Sequence, residues 1–153
     1  MSLDKLLENV DVVAITGQSK AVVTGITSKH HAVKEGYAWI CYKGVHVDGH
    51  QFINLAIEKG ARVIIGDQPP PKDLPSNLTY VQTSNGRIAL SHIAANWFLQ
   101  PAKQLRLIGI TGTNGKTSTA YFTESIFKAA GIKTALLGTI NYHFGESILP
   151  AKT

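Results

Sequence analysis

The sequence has one cysteine, Cys41, and no run of eighteen consecutive apolar residues. A single thiol excludes an intramolecular disulfide and any cysteine-based metal cluster, and it points to a reducing compartment. The missing apolar run excludes a membrane-spanning helix, and the opening "MSLDKLLENVDVV" carries acids where a leader peptide would carry an apolar core. A cytosolic chain is expected. Charged residues are scarce, at 16%, and form no Lys/Arg block interleaved with aromatics, so a nucleic-acid tract is not expected. No internal repeat is present. What remains is ordinary globular material: 153 residues, 44% of them hydrophobic, enough for one domain with a core plus part of another.

The net charge of +5 is unevenly placed. Residues 1–100 hold nine Lys/Arg against eight Asp/Glu, whereas residues 101–153 hold six (Lys103, Arg106, Lys116, Lys128, Lys133, Lys152) against Glu124 and Glu146. A solvated surface accounts for this excess, and a small anionic ligand accounts for it equally well.

Pattern predicts an α/β fold. Strands are expected at 21–26 ("AVVTGI") and 37–42 ("YAWICY"), where β-branched and aromatic residues cluster. The segment 48–60 reads as a helix, with Asp48 as N-cap, Gln51 three residues on, and Gly60 as the stop. A strand follows at 61–66. The stretch 67–77, "DQPPPKDLPSN", contains four prolines and must be a surface loop. Strand 78–81 and a helix from a Ser84 cap through residue 98 complete a closed set, ended by Gln100-Pro101. A domain boundary is placed there, giving domains 1–100 and 101–153. The second begins strand (105–110), loop (111–115), helix (116–130, stopped by Gly131), strand (133–140).

The loop of that segment reads "GITGTNGKTSTAYF". A standard phosphate loop, G-x-x-x-x-G-K-[ST], needs glycine at position 110, which is Ile110; the nearest glycines are Gly109 and Gly112. The context nonetheless suits phosphate binding, because a strand delivers the chain into a loop whose backbone N–H groups open onto a helix N-terminus. Gly112 and Gly115 allow close approach to phosphate oxygens, Lys116 can reach the outer phosphates, and the Thr117 hydroxyl can sit on Mg²⁺. A plain strand-to-helix turn that happens to contain "GKT" is the bland alternative.

With its displaced glycine, "TGTNGKTS" resembles the ATP loop of the Mur ligase family. Thr117 favours that family over the related folate ligases, which usually carry GKG. Independently, "GITSKHHAVKEGYAWICYKGVHVDGHQFINLAIEKGARVII" resembles the N-terminal UDP-binding domain of the UDP-N-acetylmuramoyl-dipeptide ligases, the MurE type. "LLGTINY" followed by "AKT" resembles the MurE stretch that leads to a paired-threonine substrate loop. Closely similar N-terminal domains occur in the MurF type. The resemblance implies a UDP-substrate domain at 1–100 and the truncated start of a central ATP-binding domain at 101–153.

It also implies roles. Gly112, Thr113, Asn114, Gly115, Lys116, Thr117 and Ser118 would hold ATP, with Lys116 and Thr117 as catalytic positions and Thr117 also the contact to Mg²⁺. Ile26, Ser28, Val45, His46 and Val47 would meet the UDP end of the substrate, and Thr153 would be the first of the substrate threonines. The family's Asp-Ser-Arg is here Thr27-Ser28-Lys29, and a lysine lacks the two-pronged fork of an arginine. The reaction implied is ATP-dependent amide formation in peptidoglycan synthesis. A terminal carboxylate of UDP-N-acetylmuramoyl-dipeptide attacks the γ-phosphate, and the acyl phosphate is then attacked by the amine of diaminopimelate or lysine. Two other classes remain in view: a non-catalytic nucleotide-binding module, and an unrelated phosphate-loop hydrolase.

Lesser candidates read as structural. His46 and His50 share a metal-like spacing without a third ligand. His30 and His31 read as exposed loop residues, Trp39 and Trp97 as core, and Cys41 as a structural thiol. No Ser-His-Asp arrangement is legible. Glu124, two turns along its helix, and Glu146, in a glycine-containing loop, are poorly placed to hold Mg²⁺. Leu107, Ile110, Leu136 and Leu137 are expected to lack partners. The chain is therefore expected to be a fragment that does not ligate alone and that self-associates or orders poorly after residue 100.

Overall fold

The computed structural model describes residues 1–18 and 20–151. It divides into two compact units, Met1–Leu105 and Arg106–Thr153.

The first unit is a five-stranded sheet covered on both faces. Its strands are β1 (Val12–Thr16), β2 (Gly25–Thr27), β3 (Tyr37–Ile40), β4 (Val63–Gly66) and β5 (Thr79–Thr83), in the order β1-β5-β4-β3-β2. Strands β2 to β5 run parallel, and β1 closes the β5 edge antiparallel. Helices α1 (Leu3–Leu6), α2 (Ile53–Glu58) and α3 (Gly86–Trp97) pack on it.

Alternation along the central strands sends side chains into two cores. Ala38, Ile40, Val63, Ile65 and Val81 face α1 and α3, where Leu3, Leu6, Ala89 and Ile93 meet them. Trp39, Cys41, Ile64 and Tyr80 face the other way, onto Ile53 and Ala56 of α2. Burying one such aliphatic side chain stabilises the unit by about 1.5–3 kcal/mol. The central strands β3 and β4 are apolar on both faces, which explains their uninterrupted runs in the sequence. Asn96, buried in α3, donates to the carbonyls of Leu6 (3.0 Å) and Glu8 (2.6 Å), fastening the N-terminal segment to the helix.

The four-proline stretch connects β4 to β5, a parallel crossover without a helix. Its ends are held: Tyr80 Oη donates to the Gln68 carbonyl, and Leu78 N–H to the Pro75 carbonyl. Among the described residues no peptide bond is cis.

The structure corrects several expectations. Segment 21–26 is a strand only from Gly25, because Val22 makes just an isolated bridge to Ser2. The 48–60 helix starts with a tight turn at Gly49–Phe52 before α2 proper; Asp48 is the N-cap of that turn, as expected, its side chain accepting from the His50 N–H. The cap of α3 is Asn85, whose Oδ1 accepts from Arg87 and Ile88; Ser84 instead donates to Asp11. Strand β1 has no counterpart among the expected elements, since its face is exposed and its pattern gives no clean alternation.

The second unit holds α4 (Lys116–Ala129) and a meander of β6 (Ala135–Leu137), β7 (Asn141–Phe144) and β8 (Ser147–Pro150). The β7–β8 turn is Gly145-Glu146, with φ of 61° at the glycine, as a first turn position with positive φ requires. The expected strand 105–110 does not form: those residues pair with no strand, and Leu107 is 70% exposed. A lone apolar segment has nothing to give its backbone groups. The strand expected over 133–140 is confined to β6. Leu136, expected to lack a partner, is buried, whereas Leu137 is exposed and Ile110 half-buried. No described helix is long and apolar enough to cross a membrane.

Candidate functional site

In the second unit, residues 111–115 form a loop that opens onto α4. Gly115 sits at the helix N-cap in the left-handed region (φ 75°), and Gly112 has φ of 148°. A Cβ at Gly115 would touch nothing within 4 Å and one at Gly112 only the Asn114 carbonyl, so conformation and not space calls for glycine there. No side chain caps α4. Its first-turn N–H groups therefore lie open at the positive end of a fourteen-residue helix, an arrangement that suits an anion. The Lys116 ammonium folds back over the loop and donates to the carbonyls of Gly112 (2.6 Å) and Thr113 (3.2 Å). Thr113, Asn114 and Ser118 are exposed around it, and Thr117 is half-buried in the first turn. The loop thus brings together a glycine backbone, an ammonium and a hydroxyl, the donor set for a polyphosphate with a hard cation.

Glu124 has a different task from holding a cation. It is 7% exposed, paired with Lys128 Nζ at 3.0 Å and with His143 Nδ1 at 2.8 Å, so it ties α4 to β7. Burial works to raise its carboxyl pKa, but the hydrogen bonds from Lys128 and His143 outweigh that and hold it below the ordinary range. The Tyr121 ring stands edge-on to His143. Glu146 lies in the β7–β8 turn. A carboxylate and a histidine 19 positions apart give no signal in sequence.

In the first unit, the sheet's carboxyl edge carries the other expected residues, the usual ligand side of an open parallel sheet. Ile26 lies in β2 and Ser28 just past its end, exposed. There Thr27 Oγ1 accepts from the Lys29 N–H at 3.1 Å and fixes the turn. Val45, His46 and Val47 form the exposed tip of a small hairpin after β3, closed by a bridge between Lys43 and Asp48 and by the Gly44 N–H donating to the Val47 carbonyl (2.9 Å). Thr153 lies outside the described residues.

At the base of that hairpin sits a polar cluster. His50, 7% exposed at its side chain, places Nδ1 2.6 Å from Asp48 Oδ1 and Nε2 3.3 Å from Asp67 Oδ1. Hydrogen bonds from the His50 side chain and backbone hold the Asp48 carboxyl below its usual range. His46 and His50 share no helix face, and among the described residues no group of three potential ligands could hold a metal. Cys41 is buried beside this cluster, its thiol pushed up to about 12 by burial and by Asp67 and Asp48, which suits a structural role. Trp39 is core on the face toward α2, and Trp97 is half-buried against the core on the opposite face. His30 is not a free loop residue, since its ring stacks on Phe52 at 4.2 Å.

Each unit also has an open hollow whose lining does not include that unit's candidate residues. One, of about 380 Å³, is lined by Lys128, Lys133 and His143; the other, of about 670 Å³, by Gln18, Glu35 and Arg62. The chemistry of the loops identifies candidate sites better than concavity does here, because exposed backbone donors need no deep hollow.

Residues 22–98 match the Mur ligase family, catalytic domain, and residues 110–152 the Mur ligase middle domain. The chain is 38% identical over 152 residues to a Geobacter sulfurreducens protein named UDP-N-acetylmuramoyl-L-alanyl-D-glutamate--2,6-diaminopimelate ligase, covering 99% of this chain and 29% of that one. It is 39% identical over 153 residues to the Bacillus licheniformis protein of the same name, covering 99% and 30%. The chain thus spans about three-tenths of the length of these curated relatives. Among solved structures, MurF from Acinetobacter baumannii superimposes with a TM-score of 0.61 at 21% identity, over 90% of this chain and 30% of that one. MurF ligase from Thermotoga maritima in complex with ADP gives 0.54 at 22% identity, over 78% and 27%. These two likenesses establish a shared mixed α/β fold. With the sequence patterns of two successive family domains in order along it, the chain belongs to the Mur ligase family.

Proposed function

We propose that this chain is the N-terminal part of an ATP-dependent ligase of peptidoglycan synthesis, acting in the cytosol, that joins diaminopimelate to UDP-N-acetylmuramoyl-L-Ala-D-Glu. The observation that carries this reading is the uncapped N-terminus of α4 behind a loop with two positive-φ glycines and Lys116, in a chain whose relatives are named as such ligases. Residues 1–100 would hold the UDP end of the substrate and 101–153 would begin the ATP domain.

In this reading the N–H groups of Gly112 to Ser118 bind the phosphates of ATP and fix their orientation. The Lys116 ammonium leaves the carbonyls of Gly112 and Thr113 and offsets charge on the phosphoryl group as it passes to the substrate carboxylate. The Thr117 hydroxyl would hold Mg²⁺, which supplies further charge neutralisation between phosphates when bound. Ile26, Ser28 and the tip Val45–Val47 meet the uridine diphosphate end, far in chemistry from the reacting carboxylate, so their contribution is binding and orientation. Lys29 offers a single ammonium where the family carries an arginine, so its hold on an anion is less directional.

The test is titration of the ¹⁵N-labelled chain with UDP and, separately, with ADP. UDP is expected to move the amides of Ser28 and His46, and ADP those of residues 112–118. Shifts from UDP that cluster at 111–118 and leave Ser28 and His46 unmoved would overturn the assignment of the N-terminal residues.

A further inference from the structure

We propose that His50 is a positioning residue for the uridine-reading hairpin, a role that rests on the function proposed above. Its ring stands between carboxylates from two different segments, Asp48 at the base of the hairpin and Asp67 at the end of β4. Each carboxylate has a second duty. Asp48 Oδ1 also accepts from the His50 N–H (3.0 Å) and Oδ2 from Gln68 Nε2 (3.0 Å). Asp67 Oδ2 accepts from the Gly86 N–H at the start of α3 (3.1 Å). The result is a polar cluster that runs from the N-terminus of α3 through Asp67, His50 and Asp48 to the loop carrying Val45, His46 and Val47, hydrogen-bonded at every step but the 3.3 Å one between Asp67 and His50 Nε2.

The surroundings are shaped for that ring. A Cβ at Gly66 would lie 2.8 Å from His50 Nε2, 2.5 Å from Tyr80 Oη and 3.1 Å from Cys41 Sγ, so only glycine at the end of β4 lets the imidazole settle against the sheet. A Cβ at Gly86 would meet Tyr42 Cβ at 2.6 Å and the Cys41 carbonyl at 2.9 Å, which brings the start of α3 against the segment leading into the hairpin. The hairpin itself buries almost nothing: Val45 is 81% and Val47 51% exposed. Packing therefore cannot fix the tip. Its orientation is set at the base, where the Asp48 to His50 contact is the short one and the Asp67 contact the longer, off-line one. The ring is gripped at Nδ1 by Asp48, while Nε2, buried and without a hydrogen bond, faces the Asp67 carboxylate at 3.3 Å, so the imidazole stands between two separate elements and is fastened to the one that carries the hairpin.

The test uses the full chain, with UDP as the probe, and His50→Leu, His50→Gln and Asp48→Asn as variants. Calorimetry is expected to show the UDP Kd rising about tenfold in His50→Leu, the loss of a charge-assisted contact that fixes the loop. His50→Gln, which keeps one donor, should recover part of the affinity. Amide heteronuclear NOE values at Gly44 to Val47 should fall in His50→Leu while those in β3 and β4 stay at wild-type values. If His50→Leu does not fold, Asp48→Asn weakens the same link near the surface by removing its charge and should raise the Kd about threefold with the same loop signature. UDP affinity within error of wild type in His50→Leu, or in Asp48→Asn should the leucine variant not fold, would overturn the proposal. Failure of the wild-type chain to bind UDP at all would instead overturn the substrate reading; the hairpin role then stands if the NOE values at Gly44 to Val47 fall in the variants and is refuted if they do not.

Discussion

Replacing Lys116 with alanine separates a phosphate loop from a merely basic surface. In the structure its ammonium donates to two loop carbonyls, at 2.6 and 3.2 Å, hydrogen bonds it must give up to meet a nucleotide. Exposed hydrogen bonds of that kind are worth about 0.5–1.5 kcal/mol, against about 1.5–3 kcal/mol for each one made to a charged phosphate. If the ammonium donates to two phosphate oxygens in their place, about 3–6 kcal/mol gained against about 1–3 kcal/mol given up leaves a net loss in Lys116→Ala of about 2–3 kcal/mol. At 1.36 kcal/mol per decade that weakens ADP or ATP roughly 30- to 150-fold. Lys128 provides the control. Twelve residues further along α4, it lies about 18 Å away at 1.5 Å per residue. Over that distance in water a charge pair is worth about 0.2 kcal/mol, and a Debye length of about 8 Å screens most of it. Its charge is in addition already opposed by Glu124 at 3.0 Å. Lys128→Ala should therefore change nucleotide affinity by less than about 1.5-fold. Isothermal titration at physiological salt, with circular dichroism to check both variants for folding, measures the two losses. Equal losses would refute the phosphate-loop reasoning.

Glu124→Gln should lower the stability of the second unit by about 1–3 kcal/mol, because it leaves His143 and Lys128 facing a neutral group in a buried site; a melting curve unchanged from wild type would sink that account. Stability should also fall in acid. The Asp48 and Glu124 carboxyls are both depressed from their ordinary values of 3.8 and 4.5, so their contribution is complete above those values and is lost as pH drops through the lower folded ones. Urea midpoints that stay level from about pH 5 to about pH 2.5 would contradict it. Asn96→Leu should cost about 2 kcal/mol or more by stranding the carbonyls of Leu6 and Glu8, readable as a lower urea midpoint at constant m. Amide exchange should be slowest in β3, β4 and β5 and faster throughout 106–151, where Leu107, Ile108, Phe122 and Ile126 are 55–71% exposed; uniformly slow exchange would refute this.

The buried strands β3 and β4 and the glycine-rich loop are legible in the sequence because each is a local pattern: an apolar run, or a glycine, lysine and threonine at fixed spacing before a helix. The α/β class follows from their alternation with helices. Strand β1 is illegible, since Val13 and Ile15 point outward and only Val12 reaches the core. The segment 105–110 has the composition of a strand and fails for lack of neighbours, which no local pattern reports. His50 is visible as a histidine after Asp48-Gly49, but its second carboxylate, Asp67, comes from the end of the next strand and is fixed only by the crossover. Glu124 is misplaced for a cation because its position serves His143, a partner that arrives only once β7 folds back.

The all-trans prolines of the β4–β5 crossover bear on the rate at which the first unit assembles. In an unfolded chain each of the four Xaa-Pro bonds at Pro69, Pro70, Pro71 and Pro75 is cis about 10% of the time or more, so roughly a third of molecules begin with at least one wrong isomer. Leu74 packs against the core beneath, and the loop is pinned at Gln68 and Pro75, so it has little slack to absorb a reversed peptide before β5 can dock. Refolding from long-denatured protein should accordingly split into a fast phase and a slow one lasting tens of seconds. A prolyl isomerase should shorten the slow phase, and a brief unfolding pulse should abolish it.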